Sequence, residues 1–311
     1  MQGYDYILDS ESGKSFAVQR STGEISDAVT VVVPEGTYFK TPEQQKADRR
    51  RNEGLRKKLE QDAAKREKNQ TLGELGRYFF VVCGCFQNLS DATVARLVFL
   101  ASHLAYNSGK LNKTQRTPLR RKDLPALMQL SCRTVDRFMK EAEAYIGEDS
   151  DGCLRMRGDV FIRGSLPKGQ YMMLQRLYIT AVRHLYHETP ACKHRALGKI
   201  FRLLLYVNRE YNILCWNPDE SYLHNVDPLT FAEFGSLCGY DVNKLSRLKT
   251  ALRELTFEVG ARRAHFCSFV SPKAGQTVLI FNPRILYNGS NYQYVESLGK
   301  FCLAEQSQPN A

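Results

Sequence analysis

The apolar positions of this chain change their period from segment to segment, and the changes mark its elements. Tyr4 to Leu8, Ser15 to Gln19 and Val29 to Val33 are short strand-like runs separated by turns at Gly13 and Gly23, which predicts a small sheet or a pair of hairpins. After Thr41-Pro42 the pattern is lost. Over 43–70, ten Lys or Arg stand against six Asp or Glu, with few large apolar residues beyond Leu55 and Leu59. The composition predicts a solvated helix or a flexible arm; a coiled coil would need sustained heptads, which are missing. The apolar run Tyr78 to Phe86 restores order. Ser90 then caps a helix expected from Asp91 to about Tyr106, with Val94, Leu97, Val98, Ala101 and Leu104 on its core face.

One pattern then occurs twice, 110 residues apart: Leu124 matches Phe234, Ser131 Asp241, Val135 Leu245, Arg137 Arg247 and Phe138 Leu248. In the first copy a short helix carrying Leu124 and Leu127 leads through a turn to Ser131. That hydroxyl is placed to cap a second helix burying Val135, Phe138, Met139 and Ala142 at i, i+3, i+4, i+7 spacing. In the second copy Gly239 permits the turn, Asp241 caps, and Leu245, Leu248, Leu252 and Leu255 form the stripe. The outward faces are left with Arg133, Thr134, Arg137 and Lys140 in one copy and Asn243, Lys244, Arg247 and Thr250 in the other.

Each copy is followed by hairpin signals. Ile146 to Gly164 holds the turn Asp149–Gly152 and strand-like pieces at 153–156 and 159–163, and the runs 264–270 and 277–281 flank Ser271 to Gly275. Between the copies lie an apolar stretch, Tyr171 to Tyr186, helical in its later half, an amphipathic helix over 196–207, and a short strand over 213–216. Pro228 sits in the expected first turn of a helix running to Leu237. A helix-turn-helix followed by a β-hairpin is a winged helix. The expected fold is therefore α+β and mainly helical: tandem winged helix-turn-helix domains at 73–168 and 169–302, behind a small β segment (1–40) and a charged helical linker (41–72), with a disordered tail over 303–311.

Composition adds a partner. The 311 residues suffice for about two domain cores, and a formal charge of +11 with a pI near 9.2 favours a polyanion. The charge is uneven: 1–40 carries three basic and six acidic side chains, 110–140 nine basic and two acidic. Arg120, Arg121 and Lys122 precede the first helix pair, and Arg155, Arg157 and Lys273 fall near the two hairpins. These residues, with the two outward helix faces, are the candidate DNA contacts. Nine cysteines without a regular framework, no secretory signal and no apolar run near the ~20 residues of a membrane span point to a reduced, cytoplasmic protein.

Catalytic and metal chemistry find no support. No Gly-x-x-x-x-Gly-Lys-Ser/Thr run is present, and His184-Leu185-Tyr186-His187 lacks the spacing of two histidines separated by one residue. His184, His187, Cys192 and His194 cluster in sequence, but Pro190 interrupts them and they read as surface histidines at a helix end; Cys83 and Cys85 read as buried small residues. No enzyme activity, metal or cofactor is expected.

The stretch Leu124 to Arg137 (L-P-A-L-M-Q-L-S-C-R-T-V-D-R) and the closing run Phe281 to Ser290 (F-N-P-R-I-L-Y-N-G-S) resemble winged-helix proteins of plasmids and phages of Gram-positive bacteria, among them plasmid replication proteins of the RepL type and MarR-like regulators. The resemblance spans roughly 90–300 and implies sequence-specific binding of double-stranded DNA. The expected role is replication initiation on a mobile element. Transcriptional regulation and a winged-helix module for protein contact remain open beside it, with host replication or transcription proteins as further partners.

Overall fold

The computed structural model describes residues 4–8, 15–26, 42–86, 88–114, 116–166, 174–259, 262–273, 276–289 and 291–303. Helix outweighs strand in a mixed α/β fold, and the chain divides into two compact units, 1–69 and 70–311. The expected strand at 29–33 and tail residues 304–311 lie outside the described residues.

In the first unit β1 (Tyr4–Leu8), β2 (Ser15–Gln19) and β3 (Ile25–Ser26) form an antiparallel sheet in that order, with Tyr6 opposite Ala17 and Val18 opposite Ile25. Gly23, at φ +71°, makes the turn into β3. The charged segment is a helix, α1 (Pro42–Leu75), which crosses the boundary between the units. It is exposed along nearly all of 43–70, having no apolar stripe to bury. Helix-forming Lys, Arg, Glu, Gln and Ala sustain it, with i,i+4 pairs such as Lys57–Glu53 at 3.0 Å and Arg56–Glu60 at 3.5 Å. Gly76, at φ +79°, ends it by donating its N–H to the Leu72 carbonyl.

The second unit opens with β4 (Tyr78–Val82). Ser90 caps α2 (Asp91–Ala101) by accepting the Thr93 N–H. The helix stops at Ala101 rather than Tyr106 because the chain turns back on itself there: Leu104 bridges Leu111, and Ala105 donates to the Lys110 carbonyl. Next come α3 (Leu124–Met128) and α4 (Cys132–Glu141), joined through Gln129 at φ +53°, then β5 (Ile146–Glu148), β6 (Leu154–Met156) and β7 (Phe161–Ile162). Residues 109–111 flank β6 on the side away from β5: Met156 donates to Gly109, Leu111 to Leu154, and Lys110 bridges Arg155. The piece expected at 159–163 leaves this hairpin; β7 pairs instead with β4.

After β8 (Leu174–Tyr178) follow α5 (Ile179–Glu188), α6 (His194–Arg202), and a 3-10 turn over Leu203–Tyr206 in place of the end of the expected longer helix. The helix expected from Pro228 begins later, as α7 (Phe231–Leu237). Thr230 and Glu233 form a reciprocal capping box, while Pro228 enters an isolated β-bridge with Cys215. Gly239, at φ +73°, makes the turn to Asp241 and a 3-10 turn, Val242–Lys244, which runs into α8 (Leu245–Arg253). Asp241 has the backbone of a cap but its side chain does not cap; the carboxylate holds Lys244 at 3.2 Å. A hairpin that the pattern did not predict, β9 (Thr256–Val259) with β10 (Arg262–His265), packs on α5 before β11 (Cys267–Lys273) and β12 (Gln276–Phe281) form the next one. Ile213 and Leu214 flank β12 as 109–111 flank β6: Leu214 donates to the Leu279 carbonyl at 3.0 Å. Last comes α9 (Gln293–Phe301).

The 110-residue register therefore holds in three dimensions. Gln129 and Gly239 share positive φ, and Ser131 and Asp241 share extended backbone (ψ 150° and 154°). Leu124 and Phe234, Phe138 and Leu248, and Ala142 and Leu252 are all fully buried.

The two copies share one core. β4 is the centre of a sheet ordered β7-β4-β8, pairing Tyr78 with Tyr178 and Val82 with Leu174. α2 packs on α6 so closely that a Cβ on Gly198 would lie 1.7 Å from the Asp91 carbonyl oxygen. This is why α2 is buried nearly all round, with Thr93, Ala95, Phe99 and Leu100 covered as well as the expected core face. Asp91 receives Arg202 at 2.7 Å and Lys199 at 3.3 Å, and Arg202 also donates to the carbonyls of Phe86 and Leu89. The run from Phe281 clamps β8: Tyr178 donates to Ile285, the Arg176 N–H to Asn288 Oδ1, and Asn288 Nδ2 to Leu174.

Candidate nucleic-acid interface

The first head is built on α4. Its N-terminus is capped by Ser131, whose Oγ accepts the Thr134 N–H and lies 2.9 Å from Thr134 Oγ1; Thr134 thus serves the cap and is only partly exposed. Val135, Phe138 and Met139 are buried, which turns Arg133, Asp136, Arg137 and Lys140 outward. At the other end of α4, Glu141 accepts from Thr93 Oγ1 at 2.6 Å and from the Ser90 N–H, tying the helix to the start of α2. Burial works against that carboxylate, but the hydrogen bonds from Thr93 and Ser90 hold its pKa below the ordinary range.

Arg133, Arg137 and Lys140 are exposed and make no ion pair among the described residues. Some of their neighbours are engaged. Arg121 reaches Asp136 at 2.8 Å and Glu148 at 3.9 Å, and Arg120 donates its backbone N–H to Asp123 at 3.1 Å; the side chains of Arg120 and Lys122 are exposed. Lys113 stands 3.7 Å from Asp123, and Arg116 is exposed on the same connection. Neither of those two stands out individually in the sequence, although the charge excess over 110–140 signals both.

The hairpin after α4 presents a different surface. Its tip is Asp149 to Gly152, and Asp149 accepts from the N–H groups of Asp151 and Cys153. Arg155 lies within β6, with its guanidinium on Asp149 at 3.0 Å. That hydrogen bond, before the backbone ones, keeps the Asp149 carboxyl below its usual range. Arg157 lies past the end of β6 and binds Asp159 at 2.7 Å.

On the second head Asn243, Arg247 and Thr250 are exposed. Thr250 donates to the Ser246 carbonyl, Lys244 is paired with Asp241, and Arg247 makes no ion pair among the described residues. Lys249 and Arg253 lie 5.2 and 5.6 Å from the centre of the Phe269 ring on β11. Lys273 ends β11, and its side chain lies outside the described residues.

The histidine cluster divides: His184, His187 and Cys192 are exposed, as expected, and only His194 packs into the core. His194 is buried, not at the surface, its ring 4.4 Å from that of Tyr186 and its Nε2 3.1 Å from the Thr189 carbonyl; burial pushes its pKa down to about 4. Among the described residues no group of three or more His, Cys, Asp or Glu side chains is gathered as a metal ion requires, and no helix is long and apolar enough to cross a membrane. Comparison of the chain with protein-family models, with curated proteins and with solved structures returned no match.

Proposed function

We propose that residues 73–302 are two winged-helix units that bind double-stranded DNA, with α4 and α8 as their recognition helices and the protein acting as a replication initiator of a mobile element. The observation that carries this reading is the outward row Arg133, Arg137 and Lys140 on a capped helix, exposed and without ion pairs among the described residues, whereas Arg121, Arg155 and Arg157 of the same head hold acidic partners. Cations not already bound to carboxylates are the ones that replace counterions on a phosphate backbone, and a helix of this kind beside a hairpin suits the major groove. The shared register of the two copies and their common core support two heads acting as a unit on adjacent sites, which favours initiation over regulation by a single head.

The second head supports a further reading. Val242 is 72% exposed at the start of its helix, and Lys244, Lys249 and Arg253 are engaged within the protein, so this face suits a protein partner as well as DNA. The deciding measurement is binding to random duplex across a salt series. A DNA-binding chain gives a linear fall of log affinity with log salt of about 0.9 per neutralised phosphate; no measurable binding at low salt would defeat the proposal. Protection across the replicon that encodes the protein then separates the roles, since iterated origin sites mark initiation and a promoter marks regulation.

A further inference from the structure

A cavity of about 370 Å³ lies between the end of α2, the 110–114 connection and α5, and its lining is strongly cationic. Arg77, Arg163, Arg183 and Lys113 all line it, and no acidic side chain does so among the described residues. Burial and the charges of Arg163 and Arg77 push the Arg183 pKa down to about 10, and burial with Arg77 lowers that of Arg163, so the three guanidinium groups stand near enough to repel one another. Two are braced by the protein: Arg183 donates to Ser102 Oγ at 3.0 Å and to the Ser102 carbonyl at 2.7 Å, and Arg163 to the Leu104 carbonyl. Like charges held together in this way cost stability that an anion restores.

His103 lines the same cavity without adding a charge. It is only 5% exposed, and its Nδ1 lies 3.1 Å from the Asn112 carbonyl, so Nδ1 carries the proton. Burial and Arg183 hold the ring neutral, with a pKa of about 4. Nε2 is therefore a lone-pair acceptor, buried away from the cavity surface and without a partner among the described residues. Four cations and no acidic side chain among the described lining residues ask for an anion of more than one charge, which a di- or triphosphate supplies. At the rim Tyr106 is 68% exposed and offers a ring face, while Leu104 and Ile179 form an apolar wall. The volume is in the range of small-ligand pockets, about 300–1,000 Å³.

We propose that this cavity binds a nucleoside phosphate, with the arginines on its phosphates and Tyr106 stacking on the base. The site does not depend on the helix faces reading DNA. Calorimetric titration of the full chain with ATP, GTP, pyrophosphate and adenosine tests it. Saturable binding of at least one triphosphate, weaker binding of pyrophosphate and none of adenosine is the expected pattern. Arg77→Glu places a negative charge at an exposed position that makes no ion pair among the described residues; it should weaken the triphosphate roughly tenfold or more, about 1.4 kcal/mol, without lowering the thermal midpoint. Arg183→Gln should weaken it as well, and Tyr106→Ala should weaken the triphosphate but not pyrophosphate. The proposal fails if no phosphate compound binds saturably, if adenosine binds as well as ATP, or if Arg77→Glu leaves affinity intact. It also fails if the arginine variants reduce duplex binding in a chain that takes up no small phosphate, because the cavity would then serve the DNA backbone.

Discussion

Arg137 and Arg121 belong to the same head but keep different company. Arg137 has no acidic partner among the described residues, whereas Arg121 holds Asp136 and Glu148 and must release them before it can bind phosphate. Such exposed pairs are worth only about 0–1 kcal/mol each, but they discount whatever Arg121 contributes. Arg137→Ala should therefore cost about 1–3 kcal/mol of specific binding and Arg121→Ala less, as read by fluorescence anisotropy on the protected site. An unaltered affinity in a folded Arg137→Ala would remove Arg137 from the contacts. The matching substitution Arg247→Ala asks whether the second head contributes. Buried histidines set a second outcome at this scale. His103 and His194 have pKa values of about 4 when folded, against an ordinary 6.5, because burial penalises the imidazolium. From pH 6.5 down to 4 the unfolded chain binds protons that the folded chain refuses, so stability falls as pH falls through that window and is insensitive to these groups above it. Each shift corresponds to a loss on the order of 3 kcal/mol by about pH 4. Urea midpoints that stay level between about pH 6.5 and 4.5 would show that these histidines titrate normally.

Among the elements, α1 is the one whose form its own packing does not explain. At 34 residues it extends roughly 50 Å, exposed along nearly its whole charged run and with no apolar face to dock. If the chain binds duplex DNA as proposed, cations on such a rod would reach phosphates without a fixed register on base edges, which adds affinity and not sequence preference. Deleting 43–70 should weaken specific and random duplex alike and flatten the salt dependence by about 0.9 for each phosphate that the arm had neutralised. A deletion that changes site preference at constant salt slope would make α1 a reader in its own right. The hairpin elements divide differently. Asp149 and Asp159 occupy Arg155 and Arg157, so the first hairpin brings an acidic tip and two paired arginines to any duplex, and α4 remains the strongest cationic feature of that head.

Across the whole molecule, the two copies share one core, because the β4–β8 pairing and the α2–α6 packing run through both. Gly198 is the tightest point of that packing. A methyl there meets the Asp91 carbonyl oxygen at 1.7 Å and its carbon at 2.4 Å, and backbone cannot move aside as a side-chain tip can. Gly198→Ala should destabilise the chain by about 3 kcal/mol or more. Gly147→Ala on β5, with nothing within 4 Å, should stay within about 0.5 kcal/mol. Urea unfolding followed by tryptophan fluorescence and by circular dichroism reads both. Equal effects at the two glycines would mean that the helices separate without cost.

The sequence by itself determined the features that are written within a few residues. Ser131 beside Thr134, Gly239 before Asp241, and the apolar spacings around Phe138 and Leu248 predict both helix pairs in register, because capping, positive φ and helical period are local properties. Ser90 marks the start of α2 for the same reason, but the end of that helix was not legible, since Leu104 is drawn into a bridge with Leu111. Tertiary structure alone decided which local options survived. Pro228 entered an isolated β-bridge with Cys215, Asp241 turned to Lys244 rather than to the helix end, and the 159–163 piece left its hairpin for β4. It also chose which cations keep acidic partners, and it gathered Arg77, Arg163 and Arg183 from three distant segments around His103. Periodicity reports how one segment faces a core; it carries no information about which other segment, far along the chain, will supply the opposite charge or the opposing strand.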